Sequence, residues 1–325
     1  MQAIVMTAVG GPEVLVACEV EVPRPRSGQI LVRVEAVPVL YPETRLRAGA
    51  FPMPAPVPTV FGMQAVGIVD AVAEDVAPDW IGKRVLVARN DFGTYAEWVC
   101  APAGAAVPVP DGLAAESAAA VAASGSVAAA LFDTAAPTGA DTVLIEAAAT
   151  GIGGYLTQLA AQFGTPRIIA TAGGPEKVER AHELGAHTVI DHADPHWPQR
   201  LAEQLGDTTI DVVFDSIGGD TAAPLLDLMT PLRGRMLGYG WLSGSSAQIT
   251  TTDLIMRGLT FVGCSGSQWL AGVAKRRAAV LQQAADGELT ALIDSVLPLT
   301  EAERAHRLVD ERRTRGTIVL QPATA

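Results

Sequence analysis

The sequence predicts an α/β protein in which a doubly wound parallel sheet is joined to a compact, barrel-like β domain. Three observations carry this expectation. After residue 140, apolar runs at 142–146, 167–171, 187–190, 210–215, 234–239 and 259–263 alternate with helical patterns at 152–163, 176–184, 197–205 and 221–229, the order of a parallel sheet with helices on its faces. The first unit is a strand, Thr142-Val143-Leu144-Ile145-Glu146, a glycine-bearing turn, and a helix with apolar positions at Ile152, Leu156, Leu159, Ala160 and Phe163. The first hundred residues hold short strands separated by Gly/Pro turns instead.

In chain order, Pro23, Pro25, Ser27 and Gly28 supply a turn before Gln29–Val37, where Ile30, Val32, Val34 and Ala36 share one face and Leu31, Arg33 and Glu35 the other. A proline-rich loop at Phe51–Pro58 precedes strand candidates at 67–72, 85–87 and 94–99. Small residues then make a long helix from Leu113 to Phe132, with an interruption expected at Ser124-Gly125. The tail reads as a helix at 270–285, a segment at 292–297, a helix at 301–312 and a strand from Thr317 to Leu320. That last strand is expected to return to the first sheet, which makes the first domain discontinuous.

Bulk properties exclude several classes. The 325 residues are 49% hydrophobic and 18% charged, enough apolar mass for a large core. A net charge of −12 repels nucleic acid and anionic lipid, while a local basic patch can still hold one anionic cofactor. The odd, scattered cysteines (Cys18, Cys100, Cys264) spell neither a disulfide framework nor a zinc cluster and fit a reducing cytoplasm. The N-terminus carries no leader pattern, and the Ala-rich stretch at 114–130 is read as too interrupted, by Glu116, Ser124, Gly125 and Ser126, to span a membrane. Ser124 and Ser216 lack a His/Asp partner pattern, and His182, His187, His196 and His306 lack metal-ligand spacing and read as surface or structural groups.

The turn Ala147-Ala148-Ala149-Thr150-Gly151-Ile152-Gly153-Gly154 is an imperfect G-x-G-x-x-G: Ala149 stands at the first glycine and Gly154 one place before the third. Alone, it is a strand–helix joint with phosphate-binding and purely structural readings equally open. Further on, Thr171-Ala172-Gly173-Gly174-Pro175-Glu176-Lys177 carries no acid at the strand's end to accept a ribose 2′-hydroxyl, and Lys177 opens the next helix. Its charge suits a 2′-phosphate; a solvated first-turn lysine is the other reading. Gly218-Gly219 and Gly238-Tyr239-Gly240 fall at later strand ends, where a ligand passes closest to the backbone.

Taken together, Pro25–Val34, Arg47-Ala48-Gly49, Gly93-Thr94-Tyr95-Ala96-Glu97, the Ala147–Gly153 turn, Val212-Val213-Phe214-Asp215-Ser216-Ile217-Gly218-Gly219, Ala305-His306-Arg307 and Gly316–Leu320 resemble the medium-chain dehydrogenase/reductase superfamily, in its zinc-free quinone oxidoreductase branch, over nearly the whole chain. The resemblance implies a Rossmann sheet at 116–264 inserted in a GroES-like β-barrel catalytic domain formed by 1–115 and 265–325. It implies NADPH as cofactor, held by Thr150, Gly151, Ile152, Thr171, Gly173, Lys177, His192, Ile217, Gly238 and Tyr239; for His192 a surface histidine after a strand is an equal reading. A homodimer paired through Leu259–Gly263 follows by the same analogy. No zinc is expected, because the positions of the zinc ligands in zinc-dependent relatives are Leu40, Met63 and Gln64 here.

The implied activity is hydride transfer to a quinone or an alkene conjugated to a carbonyl, which also needs a donor for the developing oxyanion. The branch's usual Asn and Asp are Leu40 and Glu43 here, its proline-loop Tyr is Phe51, and its Thr near the nicotinamide is Val127. Tyr41 is the surviving candidate donor, with a half-buried wall residue as its other reading, and Glu43 and Arg47 are read as a nearby surface or interdomain pair. This depleted pocket keeps a second class open, a non-catalytic NADPH-binding protein.

Overall fold

Alternating apolar residues in the first hundred positions bury one side of each strand and leave polar residues outside. In the computed structural model, which describes residues 1–51 and 55–323, these strands are β1 (Gln2–Met6), β2 (Leu15–Glu19), β3 (Gln29–Pro38), β4 (Thr59–Val60), β5 (Gln64–Val72), β6 (Arg84–Ala88), β7 (Trp98–Pro102) and β8 (Val107–Pro108). Pro52, Met53 and Pro54 of the proline-rich loop lie outside the described residues. β3 is flanked on both sides, by β5 and by β7, and Leu31 is buried along with Ile30 and Val32 while Arg33 stays exposed. β7 begins later than the expected strand at 94–99, because Thr94 and Tyr95 fold against Gly62. A Cβ on Gly62, at φ +91°, would stand 2.1 Å from the Tyr95 ring.

A short helix α1 (Tyr41–Arg47), not expected from periodicity, follows β3. Pro42 sits in its first turn and Glu43 at its third position caps it by accepting the Leu40 N–H at 3.0 Å.

The small-residue helix α2 (Ala115–Ala135) runs without the expected break. One mid-helix glycine costs about 1 kcal/mol against alanine, and burial of the surrounding alanines offsets it. Contrary to the reading from its polar interruptions, α2 is long and apolar enough by composition to cross a membrane, but 61% of its apolar window is packed inside the structure, as in a core helix.

The alternating region is β9 (Thr142–Ile145), α3 (Gly151–Phe163), β10 (Arg167–Ala172), α4 (Pro175–Glu183), β11 (Thr188–Asp191), α5 (Trp197–Leu205), β12 (Val212–Asp215), α6 (Ala222–Leu226), β13 (Arg235–Gly238), α7 (Thr251–Arg257) and β14 (Thr260–Gly263). Its six strands pair in parallel in the order β11-β10-β9-β12-β13-β14, a doubly wound sheet whose strand order reverses between β9 and β12. α6 is shorter than the expected 221–229 because Met229 bridges to Ile210, pulling 228–230 out of the helix.

The expected helix at 270–285 is two, α8 (Ser267–Ala274) and α9 (Arg277–Ala285), divided where Arg276 turns to Asp133 at 2.7 Å. β15 (Ile293–Pro298), α10 (Ala302–Asp310) and β16 (Thr317–Gln321) end the chain. β16 pairs antiparallel with the end of β3, Val319 opposite Pro38, so the C-terminal strand does join the N-terminal sheet. The chain divides into two compact units, Met1–Ala123 with Arg277–Ala325 (unit 1) and Ser124–Arg276 (unit 2).

Candidate functional site

In unit 2 the loops after β9, β10, β11, β12 and β13 leave the same edge of a parallel sheet, the edge where such folds bind ligands. Hydrogen bonds tie each loop to the next. Ala147 N donates to Thr171 Oγ1 at 3.3 Å and Ala148 N to Thr171 O at 2.9 Å. His192 Nδ1 lies 3.1 Å from the same Thr171 hydroxyl. Ser216 Oγ donates to Glu146 O at 3.4 Å, and Tyr239 N to Asp215 O at 3.0 Å. The structure thus brings Thr150, Gly151, Ile152, Thr171, Gly173, Lys177, His192, Ile217, Gly238 and Tyr239 onto one edge.

The geometry suits a dinucleotide. Thr150 caps α3 without a side-chain hydrogen bond, and Gly151 has φ +51° with nothing within 4 Å of where a Cβ would stand, leaving room for a phosphate against a 13-residue helix's N-terminus. Gly153 has a different purpose: a Cβ there would meet Ala147 O at 2.4 Å, so it allows the helix to pack on the turn. Beyond β10, Gly174 at φ +84° leads into α4, with Lys177 half-buried in its first turn. The nearby acid at the end of β11, Asp191, is occupied: its Oδ1 accepts from Gly174 N and Ala193 N, both at 2.9 Å. These backbone donors, Gly174 first, hold its carboxyl below the usual range.

Beneath this edge are acids that the sequence reading passed over. The parallel register pairs Ile145 with Phe214 and carries on into Glu146 and Asp215, both buried. Asp215 Oδ1 accepts from Ile217 N at 2.9 Å and Gly218 N at 2.7 Å, but both Glu146 oxygens, Asp215 Oδ2 and Tyr239 Oη make no well-formed hydrogen bond among the described residues, Glu146 lying beside Asp215 and Tyr239 beside Ser216. Burial, with Asp215 beside it, holds the Glu146 carboxyl well above the usual carboxylate range. Burial likewise keeps the Tyr239 phenol protonated. Tyr239 therefore points its hydroxyl into the protein while part of the residue stays accessible. The available signal was Glu146 itself, an acid ending an otherwise apolar strand.

Unit 1 contains Tyr41 at the first position of α1, with 38% of its surface exposed. Glu43 and Arg47, read from sequence as a surface or interdomain pair, are instead both buried and do not pair directly. Arg47 bonds Gly10 O at 2.6 Å and pairs with Asp310; Glu43 accepts from Tyr95 Oη at 2.8 Å and Met63 N at 2.7 Å. His306, read as a surface or structural histidine, lies fully buried between them. Leu40 and Met63 bring no strong metal donor, and among the described residues no group of three or more His, Cys, Asp or Glu is placed to hold a metal ion.

Comparison with known proteins agrees with this architecture. Residues 26–111 match the alcohol dehydrogenase GroES-like domain family and residues 151–285 the zinc-binding dehydrogenase family. The chain is 32% identical to a quinone oxidoreductase of Pseudomonas aeruginosa over 98% of its length and 99% of the relative's. It is also 32% identical to a 2-haloacrylate reductase of a Burkholderia species, over 99% of both chains. The crystal structure of Escherichia coli quinone oxidoreductase complexed with NADPH superposes with a TM-score of 0.89 at 29% identity, covering 99% of this chain and 100% of that one. On its fold, its two domain matches and these full-length relatives, the chain belongs to the medium-chain dehydrogenase/reductase superfamily, in its NADPH quinone oxidoreductase branch.

Proposed function

We propose that this protein is an NADPH-dependent reductase of quinones or of alkenes conjugated to a carbonyl. The observation that carries the reading is the edge of unit 2: an open glycine at the N-terminus of α3, Lys177 in the first turn of α4, and the competing acid Asp191 tied to backbone amides. Gly151, Ile152 and Thr150 hold the pyrophosphate, Lys177 the 2′-phosphate, with Thr171, Gly173 and His192 at the adenosine end. Ile217, Gly238 and Tyr239 hold the nicotinamide end. Bound NADPH supplies hydride from C4 of its nicotinamide. Tyr41, exposed at the start of α1, donates a hydrogen bond to the acceptor's developing oxyanion.

The naming of full-length relatives as quinone oxidoreductases and as a 2-haloacrylate reductase supports this substrate range. Substrate handling belongs to the N- and C-terminal segments and the nucleotide to the sheet domain between them. Three free cysteines support a reducing, cytoplasmic setting. We further propose a homodimer through the edge strand β14, beside which Leu232, Ile255 and Met256 expose apolar side chains.

The test is NADPH oxidation against a panel of simple quinones, enones and 2-substituted acrylates. Turnover with at least one class supports the reading; tight NADPH binding with no turnover favours a non-catalytic NADPH-binding protein, the alternative kept open by Leu40, Phe51 and Val127.

A further inference from the structure

The buried polar chain of unit 1 has a direction. An arginine Nε–H only donates, so His306 Nδ1, 3.4 Å from Arg47 Nε, is the acceptor and carries no proton. A neutral imidazole then bears its proton on Nε2, 3.0 Å from Tyr95 Oη. The Tyr95 proton in turn goes to Glu43 Oε2 at 2.8 Å. Every donor points toward Glu43, whose carboxylate also receives Leu40 N at 3.0 Å and Met63 N at 2.7 Å. The far end is anchored outside the chain, where Arg47 pairs with the partly exposed Asp310.

This polarity is complete only with Glu43 as the carboxylate. A protonated Glu43 would present an O–H to three donors and must release at least one of them. Reversing Tyr95 toward His306 does not help, because the tautomer that accepts at Nε2 sets an Nδ1–H against the Arg47 Nε–H.

We propose that Glu43 is a positioning residue for the reduction: its carboxylate, fed by the one-way chain Arg47–His306–Tyr95, clamps the Leu40 and Met63 backbones and so fixes where Tyr41 begins α1. This rests on the role given to Tyr41 above. The groups facing Glu43 are the Tyr95 hydroxyl and the two backbone amides, with His306 and Arg47 behind Tyr95. Burial pushes the Glu43 carboxyl up to about 7 against those donors, and a second buried effect, burial plus the Arg47 charge, brings His306 down to about 3 and keeps it neutral. The clamp therefore loosens on the acid side of neutrality.

The experiment uses the full-length protein, wild type and Glu43→Gln, which keeps the side chain's shape but sets an amide N–H₂ among the donors. Amide hydrogen exchange at Leu40 and Met63 is expected to quicken about ten- to a hundredfold in the variant, the scale of a charge-assisted hydrogen bond. With an active substrate, kcat should fall, KM for NADPH should hold, and the acid limb of the wild-type pH–kcat profile should disappear. Nitrogen-15 NMR should place the His306 proton on Nε2. If Glu43→Gln does not fold, Tyr95→Phe, which removes one donor and preserves the ring, carries the same exchange and pH measurements in milder form. An Nδ1–H tautomer, unchanged exchange at both amides, or an unaltered acid limb overturns the proposal. Failure of every substrate in wild type would instead strike the reductase reading, and the exchange and tautomer measurements would still decide the clamp.

Discussion

Removing the Lys177 charge should separate NADPH from NADH. Lys177 lies half-buried in the first turn of α4, directly after the β10 loop that carries Gly173. Unit charges about 4 Å apart attract by roughly 4 kcal/mol at an effective dielectric near 20. Two deductions apply. The site is partly solvated and screened by salt, and Lys177 already has an interaction within the protein that a phosphate would have to share. The net for one charge-assisted contact is then about 1.5–3 kcal/mol, roughly ten- to a hundredfold in affinity. In Lys177→Ala, the Kd for NADPH should rise by that factor, and the Kd for NADH, which lacks the 2′-phosphate, should change by less than about twofold. Fluorescence titration of both cofactors at low and physiological salt measures this, and the NADPH penalty should shrink as salt rises. Equal losses for the two cofactors would refute the reasoning, since Lys177 would then be acting on the fold of α4 rather than on the phosphate.

Tyr239→Phe should retain most activity and thermal stability, because the hydroxyl it loses is buried without a well-formed hydrogen bond; Tyr239→Ala should cost stability and lower turnover, and a phenylalanine variant as inactive as the alanine one would make the hydroxyl chemical. For stability against pH, His306 stands at about 3 in the fold against 6.5, so the unfolded chain takes the extra proton and stability falls as pH drops through that range. Glu43 stands at about 7 against 4.5, so the folded chain holds the extra proton and stability falls as pH rises through that window. Between pH 4.5 and 6.5 Glu43 and His306 contribute opposite slopes, so Glu43→Gln should raise the slope of stability against pH above the wild type's by up to about 1.4 kcal/mol per pH unit; urea unfolding at pH 5 and 6 checks it, and identical slopes would count against it. Sedimentation at micromolar concentration should give a dimer that Ile255→Lys with Met256→Glu converts to a monomer; a wild-type monomer contradicts the edge pairing. Metal analysis of purified protein should find no stoichiometric zinc and chelators should leave activity unchanged, and one zinc per chain would overturn the placement of Leu40, Met63 and Gln64.

The sequence by itself determined the parallel sheet, the turn that opens α3 and the family. These depend on local order: apolar runs of strand length, helical periodicity between them, and glycines where the backbone must take positive φ or approach another segment closely. What it missed depended on partners far along the chain. α2 runs through Ser124-Gly125 because burial of its small residues outweighs a local weakness, and α6 stops early because Met229 is drawn to Ile210. Glu43 and Arg47 sit four apart and read as a pair, but only the tertiary structure inserts Tyr95 and His306, from distant segments, between their charges. Glu146, at the end of an apolar strand, hints at burial but not at its neighbour, and Tyr239 carries no local mark of its surroundings; the β9–β12 register buries one beside Asp215, and the β13 edge turns the other's hydroxyl inward. Burial of a charge is a property of everything packed around it, so it is settled by contacts between residues tens to hundreds of positions apart rather than by the neighbours in sequence.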